Sequence, residues 1–372
     1  MFRKLLILLL SLLMPLGLAQ DSLSMQLFRT IVQQQSGRNI VFSPAGIVRC
    51  LERLKEGTAG ITAQELQKLN LGTPFSATGS NISPKLSEAT FADDTVALQP
   101  GIGQVQRVPL SADRQKAVSA INNWCNMATQ GSIPELLSTE DITPNSRLLV
   151  LNAIYLAEPW QYAFSPEATQ QHDFTRSDGS SIRVAMMNSG ETEFSAAGGK
   201  NWRAVALPYS KAETSEKAFY FIAILPRLDA RGFASHLTQQ KLDIILRKLA
   251  EDNEDESITS TVLLPRFSTQ GNLCDLTPAL KAIGLRNIFT TEADFSPWSS
   301  TPGLRLGAVC QKACIEVSER GTKAAAATYA DMDEEGEAPL EKIIFDRPFL
   351  WLISELKPGS TPLFMGVWEG NE

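Results

Sequence analysis

The sequence contains only two histidines, His172 and His236, among its 372 residues. A catalytic Ser-His or Cys-His pair would need one of them, and neither lies in a recognisable catalytic context. The sequence also lacks a Gly-x-Ser-x-Gly elbow, a His-Glu-x-x-His pair, a Gly-rich phosphate loop and a Cys-x-x-Cys pair. These absences argue against an enzyme and predict surface or structural positions for both histidines.

Cysteine is also scarce, and the cysteines form neither a metal-binding pattern nor a paired disulfide framework. Cys310 and Cys314 would share one face of a strand, but their extended separation of about 13 Å exceeds disulfide range. We therefore interpret the cysteines as buried free thiols and predict no metal and no cofactor. The five residues are Cys50, Cys125, Cys274, Cys310 and Cys314.

Positive charge is not in excess, because 34 Lys and Arg residues stand against 41 Asp and Glu residues, for a formal net charge of −7. An acidic surface argues against a nucleic acid partner. Beyond residues 1–19, no stretch of the sequence is long and apolar enough to cross a membrane. We therefore expect neither nucleic acid nor a membrane as a partner.

Residues 1–19 are typical of a signal peptide. Arg3 and Lys4 supply the positive start, residues 5–13 are apolar, and small residues ending at Ala19 suit a cleavage site. The apolar part is short for a membrane anchor. We therefore expect cleavage after Ala19 and export, either to the extracellular space or, for a bacterial source, to the periplasm.

Residues 20–372 contain no Pro/Gly/Ser-rich linker and no internal repeat, which predicts a single domain. The hydrophobic fraction of 43% is sufficient for a substantial core. The spacing of apolar residues predicts a helix over residues 21–36. Thr62 and Glu65 match a capping box, which predicts the start of a later helix.

The most informative stretch covers residues 319–349. It opens with a Gly-Thr pair and four alanines and continues into an acidic segment that contains Gly and Pro, which indicates an exposed loop. The even-numbered residues from 322 to 330 are all small. Because alternate residues of a strand share a face, that face could enter a sheet core without burying a charge, until Glu334 breaks the pattern. The segment is therefore predicted to adopt two forms, an exposed loop and a buried strand.

Two motifs in this stretch resemble the hinge and the end of the reactive-centre loop of the serpins. They are E-R-G-T-K-A-A-A-A-T from Glu319 and F-D-R-P-F-L-W-L-I from Phe345. N-I-V-F-S-P from Asn39, the apolar run L-L-V-L-N-A-I-Y from Leu148 and V-L-L-P-R-F from Val262 extend the resemblance over nearly the whole chain. It implies an α+β (mixed α/β) fold with a large central five-stranded sheet, two further sheets and eight or fewer helices. The exposed loop would cover about residues 319–347.

The resemblance also implies a function, namely inhibition of a serine protease in a covalent complex by a monomeric inhibitor. The protease would cleave the loop to an acyl-enzyme, and the freed N-terminal part would insert into the central sheet as a new strand. Small side chains would let the hinge enter quickly. The hinge residues are Glu319, Gly321, Thr322, Ala324, Ala325, Ala326, Ala327 and Thr328.

Residues at the top of the central sheet match the "breach" of the family, where insertion begins. Trp160 falls on the family's breach tryptophan. Arg266 falls on a basic residue that pairs with the glutamate at the base of the hinge, which is Glu319 here. An Arg266–Glu319 ion pair is therefore predicted, with a role in fixing the register of the hinge.

Residues lower in the sheet match the polar "shutter", which lies below the point where the strands part. Ser43 and Asn152 follow the family pattern. Two positions depart from it, since Gly46 replaces the usual serine and Gln311 the usual histidine. Glutamine can still form hydrogen bonds across the gap, so we expect the shutter to be retained in altered form.

The reactive bond can be placed in two ways. Counting about fourteen residues on from Gly321, the usual family spacing, gives Glu335–Gly336. Counting back from the end of the loop gives Glu337–Ala338, because the loop is about two residues longer than usual. Both positions put glutamate before the cut, which predicts a target protease that prefers acidic residues.

Three alternatives to this specificity and function stay open. Cleavage after Met332 would imply an elastase-like target. A non-inhibitory serpin, such as a carrier or chaperone, would be cleaved without trapping, and the same fold can also inhibit cysteine proteases. The region around residues 72–110 shows no basic helix, so we expect no glycosaminoglycan site, and Asn81 begins a lone glycosylation sequon.

Overall fold

A computed structural model describes residues 21–35, 37–102, 105–192, 194–210, 216–252, 260–270, 274–322 and 341–370. The predicted signal peptide, Met332, hinge residues 324–328 and both candidate reactive bonds lie outside these ranges. Within them, the chain forms helices packed around three sheets.

The described residues contain seven α-helices. They are α1 (Leu23–Gln34), α2 (Pro44–Glu56), α3 (Gly60–Gln67), α4 (Arg114–Ala128), α5 (Ala230–Ser235), α6 (Gln239–Asp252) and α7 (Thr277–Ala282). The helix predicted over residues 21–36 is confirmed as α1. Ser43 caps α2 by accepting a hydrogen bond from the Gly46 amide at 3.0 Å, with Pro44 at the first helical position.

The predicted capping box at Thr62 and Glu65 is wrong, because α3 begins two residues earlier, at Gly60. Both side chains instead make contacts with a distant segment. The Thr62 hydroxyl donates to Asn287 Oδ1 at 2.5 Å and accepts from the Asp294 amide at 2.8 Å. Glu65 Oε2 accepts from the Asn287 amide at 2.7 Å. Tertiary contacts therefore override the local pattern at this position.

The described residues contain eighteen β-strands. They are β1 (Ile40–Phe42), β2 (Lys85–Asp93), β3 (Val105–Val108), β4 (Leu148–Tyr155), β5 (Glu158–Pro159), β6 (Gln170–Thr175), β7 (Ser181–Thr192), β8 (Ser195–Gly199), β9 (Trp202–Pro208), β10 (Phe219–Pro226), β11 (Ser260–Pro265), β12 (Phe267–Gln270), β13 (Cys274–Asp275), β14 (Ala308–Ser318), β15 (Gly321–Thr322), β16 (Glu341–Ile344), β17 (Phe349–Glu355) and β18 (Phe364–Trp368).

The central sheet has five main strand positions. The first four positions, in order, are β3, β2, β4 and β14, and the short β5 continues the line of β4. The fifth position is shared by β12 and β13, which both pair with β14 on the side away from β4. A six-stranded sheet runs β1-β18-β17-β10-β9-β8, and a four-stranded sheet runs β16-β11-β7-β6. This mixed α+β arrangement, with one large sheet and two further sheets, confirms the predicted fold class.

The central sheet is buried on both faces. On one face, Ile121 and Cys125 of α4 belong to a cluster with Phe91 and Leu151 of the sheet. On the other face, strand residues such as Val150 join the largest cluster, which includes α2 and the six-stranded sheet. Burial on both faces explains why β4 reads as a continuous apolar run rather than an alternating one.

The cysteines are free thiols, as predicted. Cys50, Cys125 and Cys310 are buried. The prediction of burial is wrong for Cys274 and Cys314, which are half-buried. Burial raises the pKa of Cys125 to about 12 and that of Cys274 to about 11, and it also raises the pKa of Cys50 and of Cys310. Because the thiolate is the reactive form, these four thiols are chemically protected in the folded protein.

Candidate functional site

The predicted hinge begins inside the central sheet. At the end of β14 the chain turns back through Glu319 and Arg320, and β15 pairs antiparallel with β14, with Thr322 opposite Val317. On its other side, β15 pairs antiparallel with β5, with Thr322 opposite Glu158. We call β14, the turn and β15 the hinge hairpin.

The sheet is divided at the top and closed below. From Ala308 to Cys314, β14 pairs directly with β4 in parallel, and the highest direct pair joins Cys314 and Tyr155. Above this pair, β15 lies between β14 and β5. The first two residues of a potential new strand therefore already occupy the gap into which the remainder would have to move.

Gly321 is required at the entry to this gap. Its φ of +143° lies in a region that side-chain-bearing residues rarely adopt. A Cβ atom there would lie 2.3 Å from the Glu158 carbonyl oxygen and 2.7 Å from the Pro159 Cα. Close approach of β15 to β5 is thus possible only because residue 321 has no side chain.

Two stacked aromatic residues hold both arms of the hinge hairpin. The indole Nε1 of Trp160 donates to the Ser318 carbonyl at 2.8 Å, and the Tyr209 and Thr322 hydroxyls share a hydrogen bond of 2.7 Å. The rings of Trp160 and Tyr209 stack with centroids 4.9 Å apart. Burial raises the pKa of Tyr209, despite the hydrogen bond to Thr322 that opposes the shift, so its phenol is protonated at all ordinary pH values.

Glu319 at the base of the hinge makes the predicted contact with Arg266, at 3.4 Å between Nη1 and Oε1. The same oxygen accepts a shorter hydrogen bond, 2.9 Å, from the Thr169 hydroxyl. The Glu319 side chain is 9% exposed and that of Arg266 is 54% exposed. Because Arg266 is well solvated, the ion pair stabilises the folded protein by only about 0–1 kcal/mol. The nearly buried side chain of Glu319 also accepts the hydrogen bond from Thr169.

The shutter residues form one buried hydrogen-bonded group. Gln311 Nε2 donates to Asn152 Oδ1 at 2.7 Å and to the Ser43 carbonyl at 3.1 Å, and Gln311 Oε1 accepts from the Ser43 amide at 2.6 Å. Asn152 Nδ2 in turn donates to the Ser87 carbonyl of β2 at 3.0 Å. This group links α2, β2, β4 and β14 at the level where the two central strands must separate.

A second set of contacts fixes α4 and the following segment over the same two strands. Asn122 Oδ1 accepts from the amides of Leu136 and Leu137, at 2.8 and 2.9 Å, and Asn122 Nδ2 donates to the Leu137 carbonyl at 2.9 Å. Lys312 of β14 donates to the Glu135 carbonyl at 2.6 Å. A strand inserted between β4 and β14 would have to pass beneath this cover.

In the structure, the described residues of the predicted site form two groups. Glu319, Thr322, Trp160 and Arg266 meet at the breach, together with Gly321. The shutter residues meet below them. Three residues of the site, namely Tyr209, Thr169 and Asn122, were not predicted, because no local motif distinguishes them and their partners lie in other segments of the chain.

The two histidines lie on separate elements of the fold. His172 is half-buried on β6, and His236 is exposed at the end of α5. Within the described ranges, no group of three or more His, Cys, Asp or Glu residues could hold a metal ion. No helix in the described part of the chain is long and apolar enough to span a bilayer.

The central sheet with a hinge entering its upper gap defines the chain as a serpin. Residues 18–98 and 101–369 match the family model described as Serpin (serine protease inhibitor), so the chain belongs to this family. The resemblance noted in the sequence is thereby confirmed over nearly the whole chain.

Among its relatives, the chain is 28% identical to the leukocyte elastase inhibitor of Bos taurus, with 94% of this chain and 98% of that protein covered. It is 30% identical to the plasminogen activator inhibitor 1 of Sus scrofa, covering 92% and 89%. The solved structure of native protease nexin-1 with heparin superposes with a TM-score of 0.75 at 25% identity, covering 94% and 97%. Both sequence relatives are named as inhibitors, so the prediction of a protease inhibitor rather than an enzyme is confirmed.

Proposed function

We propose that this serpin is an exported inhibitor that traps a serine protease covalently while its reactive-centre loop inserts into the central sheet. The observation that carries the proposal is the position of β15 between β5 and β14. The chain leading to the loop already has strand pairing on both sides, and the next residues of the loop follow directly after Thr322.

The chemistry would begin as ordinary proteolysis. The serine hydroxyl of the protease attacks the carbonyl carbon of the scissile bond, and the bond to the following nitrogen breaks. The loop is then attached to the protease through an ester, and the new amino terminus leaves with the C-terminal part. Insertion of the ester-linked part before water hydrolyses the ester would carry the protease away from the breach and distort its active site.

Strand pairing supplies the driving force. Insertion replaces the direct pairing of β14 with β4 by antiparallel pairing of a new strand with both neighbours. About a dozen additional hydrogen bonds, each contributing roughly 0.5–1.5 kcal/mol, would stabilise the inserted form by on the order of 10 kcal/mol. The uncleaved protein is on this reasoning metastable.

The orientation of Thr322 supports the predicted parity of the loop. Its side chain faces inward to Tyr209 and is fully buried. Because alternate residues share a face, Ala324, Ala326 and Thr328 would follow it inward and Lys323 would face outward. The inward residues are small, so entry of the hinge would bury no charge.

We further propose that the target prefers acidic residues, since glutamate precedes the cut at both Glu335–Gly336 and Glu337–Ala338. Such a protease would have a basic specificity pocket. We expect the inhibitor to act as a monomer. We also expect it to act without a glycosaminoglycan, because the described residues 72–102 include no helix that could carry a basic binding site.

The test is to mix the purified protein with a glutamate-specific serine protease and separate the products on a denaturing gel. We expect a covalent complex and a released peptide that begins at Gly336 or Ala338 by mass spectrometry. Clean cleavage without a complex would contradict trapping and favour a non-inhibitory serpin. A complex with a papain-like protease instead would identify a cross-class inhibitor.

A further inference from the structure

We propose that Tyr209 is a positioning residue that selects the register in which the reactive-centre loop enters the sheet. The proposal rests on the proposed function and adds to it the side chain, Tyr209, that sets the register in which insertion starts. It is carried by the hydrogen bond between the Tyr209 and Thr322 hydroxyls, 2.7 Å long, between two fully buried side chains.

The contact is specific because of where it lies. In a site closed to bulk solvent, each of the two hydroxyls depends on the other, and losing one leaves the other unpaired at a cost in stability. No surrounding solvent can compensate for either group, since both residues are 0% exposed. The pair therefore favours the one position of β15 that places a hydroxyl opposite Tyr209.

Tyr209 is itself held rigidly. Its ring stacks on Trp160, its carbonyl accepts from Asn81 Nδ2 at 2.9 Å, and its amide donates to the Phe219 carbonyl at 3.3 Å. Asn81 Oδ1 accepts from the Phe219 amide at 2.8 Å. The sequon asparagine is thus a buried support of Tyr209, with the nitrogen that would carry a glycan already engaged.

Register is the quantity that such a contact controls. A shift of one residue moves every side chain of a strand to the opposite face. A shift of β15 would present Gly321 or Lys323 to Tyr209, and the first has no side chain while the second carries a charge. Only Thr322 completes the hydrogen bond, and in that register the small residues of the hinge face the core.

The contact acts before cleavage, which makes it a form of preorganisation. Thr322 is already in its strand position in the uncleaved protein, so insertion begins from a paired residue rather than from a detached loop. Without the hydrogen bond, the hinge would leave the sheet more often and insertion would start later. Hydrolysis of the acyl-enzyme would then compete more successfully with trapping.

The first experiment measures the number of inhibitor molecules consumed per protease trapped. We expect Tyr209→Phe to raise this stoichiometry at least about threefold, while the rate at which the protease first cleaves the loop stays unchanged. Tyr220→Phe is the matched control, because it removes the hydroxyl of another buried tyrosine, on β10. A wild-type stoichiometry for Tyr209→Phe would overturn the proposal.

Variants at the other end of the hydrogen bond separate positioning from general destabilisation. Thr322→Val keeps the shape but removes the hydroxyl, and we expect it to behave like Tyr209→Phe. Thr322→Ser keeps the hydroxyl and should restore trapping. Equal stoichiometries for Thr322→Val and Thr322→Ser would overturn the proposal even if Tyr209→Phe failed to fold.

Hydrogen exchange tests the same contact without any protease, so it distinguishes failure of this proposal from failure of the proposed function. In the uncleaved wild-type protein, residues 319–322 should be protected. Tyr209→Phe should accelerate exchange of this segment at least about tenfold, with Tyr220→Phe unchanged. Unaltered protection in Tyr209→Phe would overturn the proposal, whether or not the wild-type protein traps a protease.

Discussion

The side-chain amide of Asn152 fills the space that a side chain at Gly46 would occupy. A Cβ atom on Gly46 would lie 2.3 Å from Asn152 Oδ1 and 2.8 Å from its Cγ. Asn152 uses this space to reach Gln311 and the Ser87 carbonyl. The two departures from the family pattern at the shutter, Gly46 and Gln311, are therefore parts of one arrangement.

We predict that Gly46→Ser destabilises the protein by about 1–3 kcal/mol, because Asn152 must move and its buried hydrogen bonds are lost. Urea unfolding measures the effect. Gly198→Ser is the matched control, since a Cβ at Gly198 has no neighbour within 4 Å. If Gly46→Ser and Gly198→Ser had equal effects on stability, the competition for space would be refuted.

A related double variant tests whether the two departures belong together. Gly46→Ser combined with Gln311→His restores both residue types that are usual in the family. We expect the double variant to lose less stability than the sum of the two single variants, because residues in one hydrogen-bonded group couple. Strict additivity of the three unfolding free energies would count against a shared arrangement.

The ion pair at the breach should contribute to register more than to stability. We predict that Arg266→Ala lowers the free energy of unfolding by only about 0–1 kcal/mol, because Arg266 is half-exposed. Glu319→Lys should be worse, since it places a second cation beside Arg266 and removes the acceptor of Thr169. Polymer formation on warming, followed on native gels, should be faster for Glu319→Lys than for wild type, and an equal rate would refute the register role.

The pH dependence of stability should contain a contribution from Glu158 on β5. Burial raises the pKa of Glu158, and the hydrogen bond from the Ser83 amide only partly opposes this. The folded state then holds the proton more tightly than the unfolded state, so this contribution is present below the unfolded pKa and is lost as the pH rises through the folded pKa. We predict that Glu158→Gln becomes more stable relative to wild type as the pH is raised from about 4 to 7.

Asp93 provides a control of opposite sign. Burial acts to raise its pKa, but hydrogen bonds from Thr95 and Ser111 outweigh burial and lower it. Its stabilising contribution is present above the unfolded pKa and is lost as the pH falls through the folded pKa. Asp93→Asn should therefore become less stable relative to wild type over the same rise in pH. Parallel curves for the two variants would contradict at least one of the two assignments.

The cover over the central strands should limit how readily the sheet opens. We predict that Asn122→Ala destabilises the protein by about 1–3 kcal/mol and accelerates polymer formation on warming, because three hydrogen bonds to the segment after α4 are lost. Asn122→Asp keeps the two acceptor contacts and should lie between wild type and Asn122→Ala. Thermal unfolding and native gels measure both effects, and wild-type behaviour of Asn122→Ala would show that the cover does not restrain the sheet.

Sequence patterns were sufficient to predict the Arg266–Glu319 contact and the grouping of Ser43, Asn152 and Gln311, because these residues lie in distinctive local motifs. The apolar run of β4 reflects the burial of that strand on both faces. The parity of small residues after Gly321 stays a prediction of strand burial. The role of Tyr209 could not be predicted from the sequence, because its partner Thr322 is 113 residues away. A single tyrosine after a strand forms no distinguishing pattern. The capping motif at Thr62 failed for the same reason, since Asn287 and Asp294 engage its hydroxyl.

The turn at Glu319 and Arg320 has a mechanical consequence. In the proposed insertion this turn would stay in place while β15 lengthens, so the free end of the loop would travel along the whole sheet. For about a dozen residues at roughly 3.4 Å each, the path is about 40 Å. Pairing energy on the order of 10 kcal/mol released over that distance corresponds to an average pulling force on the order of 10–20 pN. If the protein works by the proposed insertion, the fixed turn would let the hinge hairpin convert strand pairing into work on the protease attached to the far end of the loop.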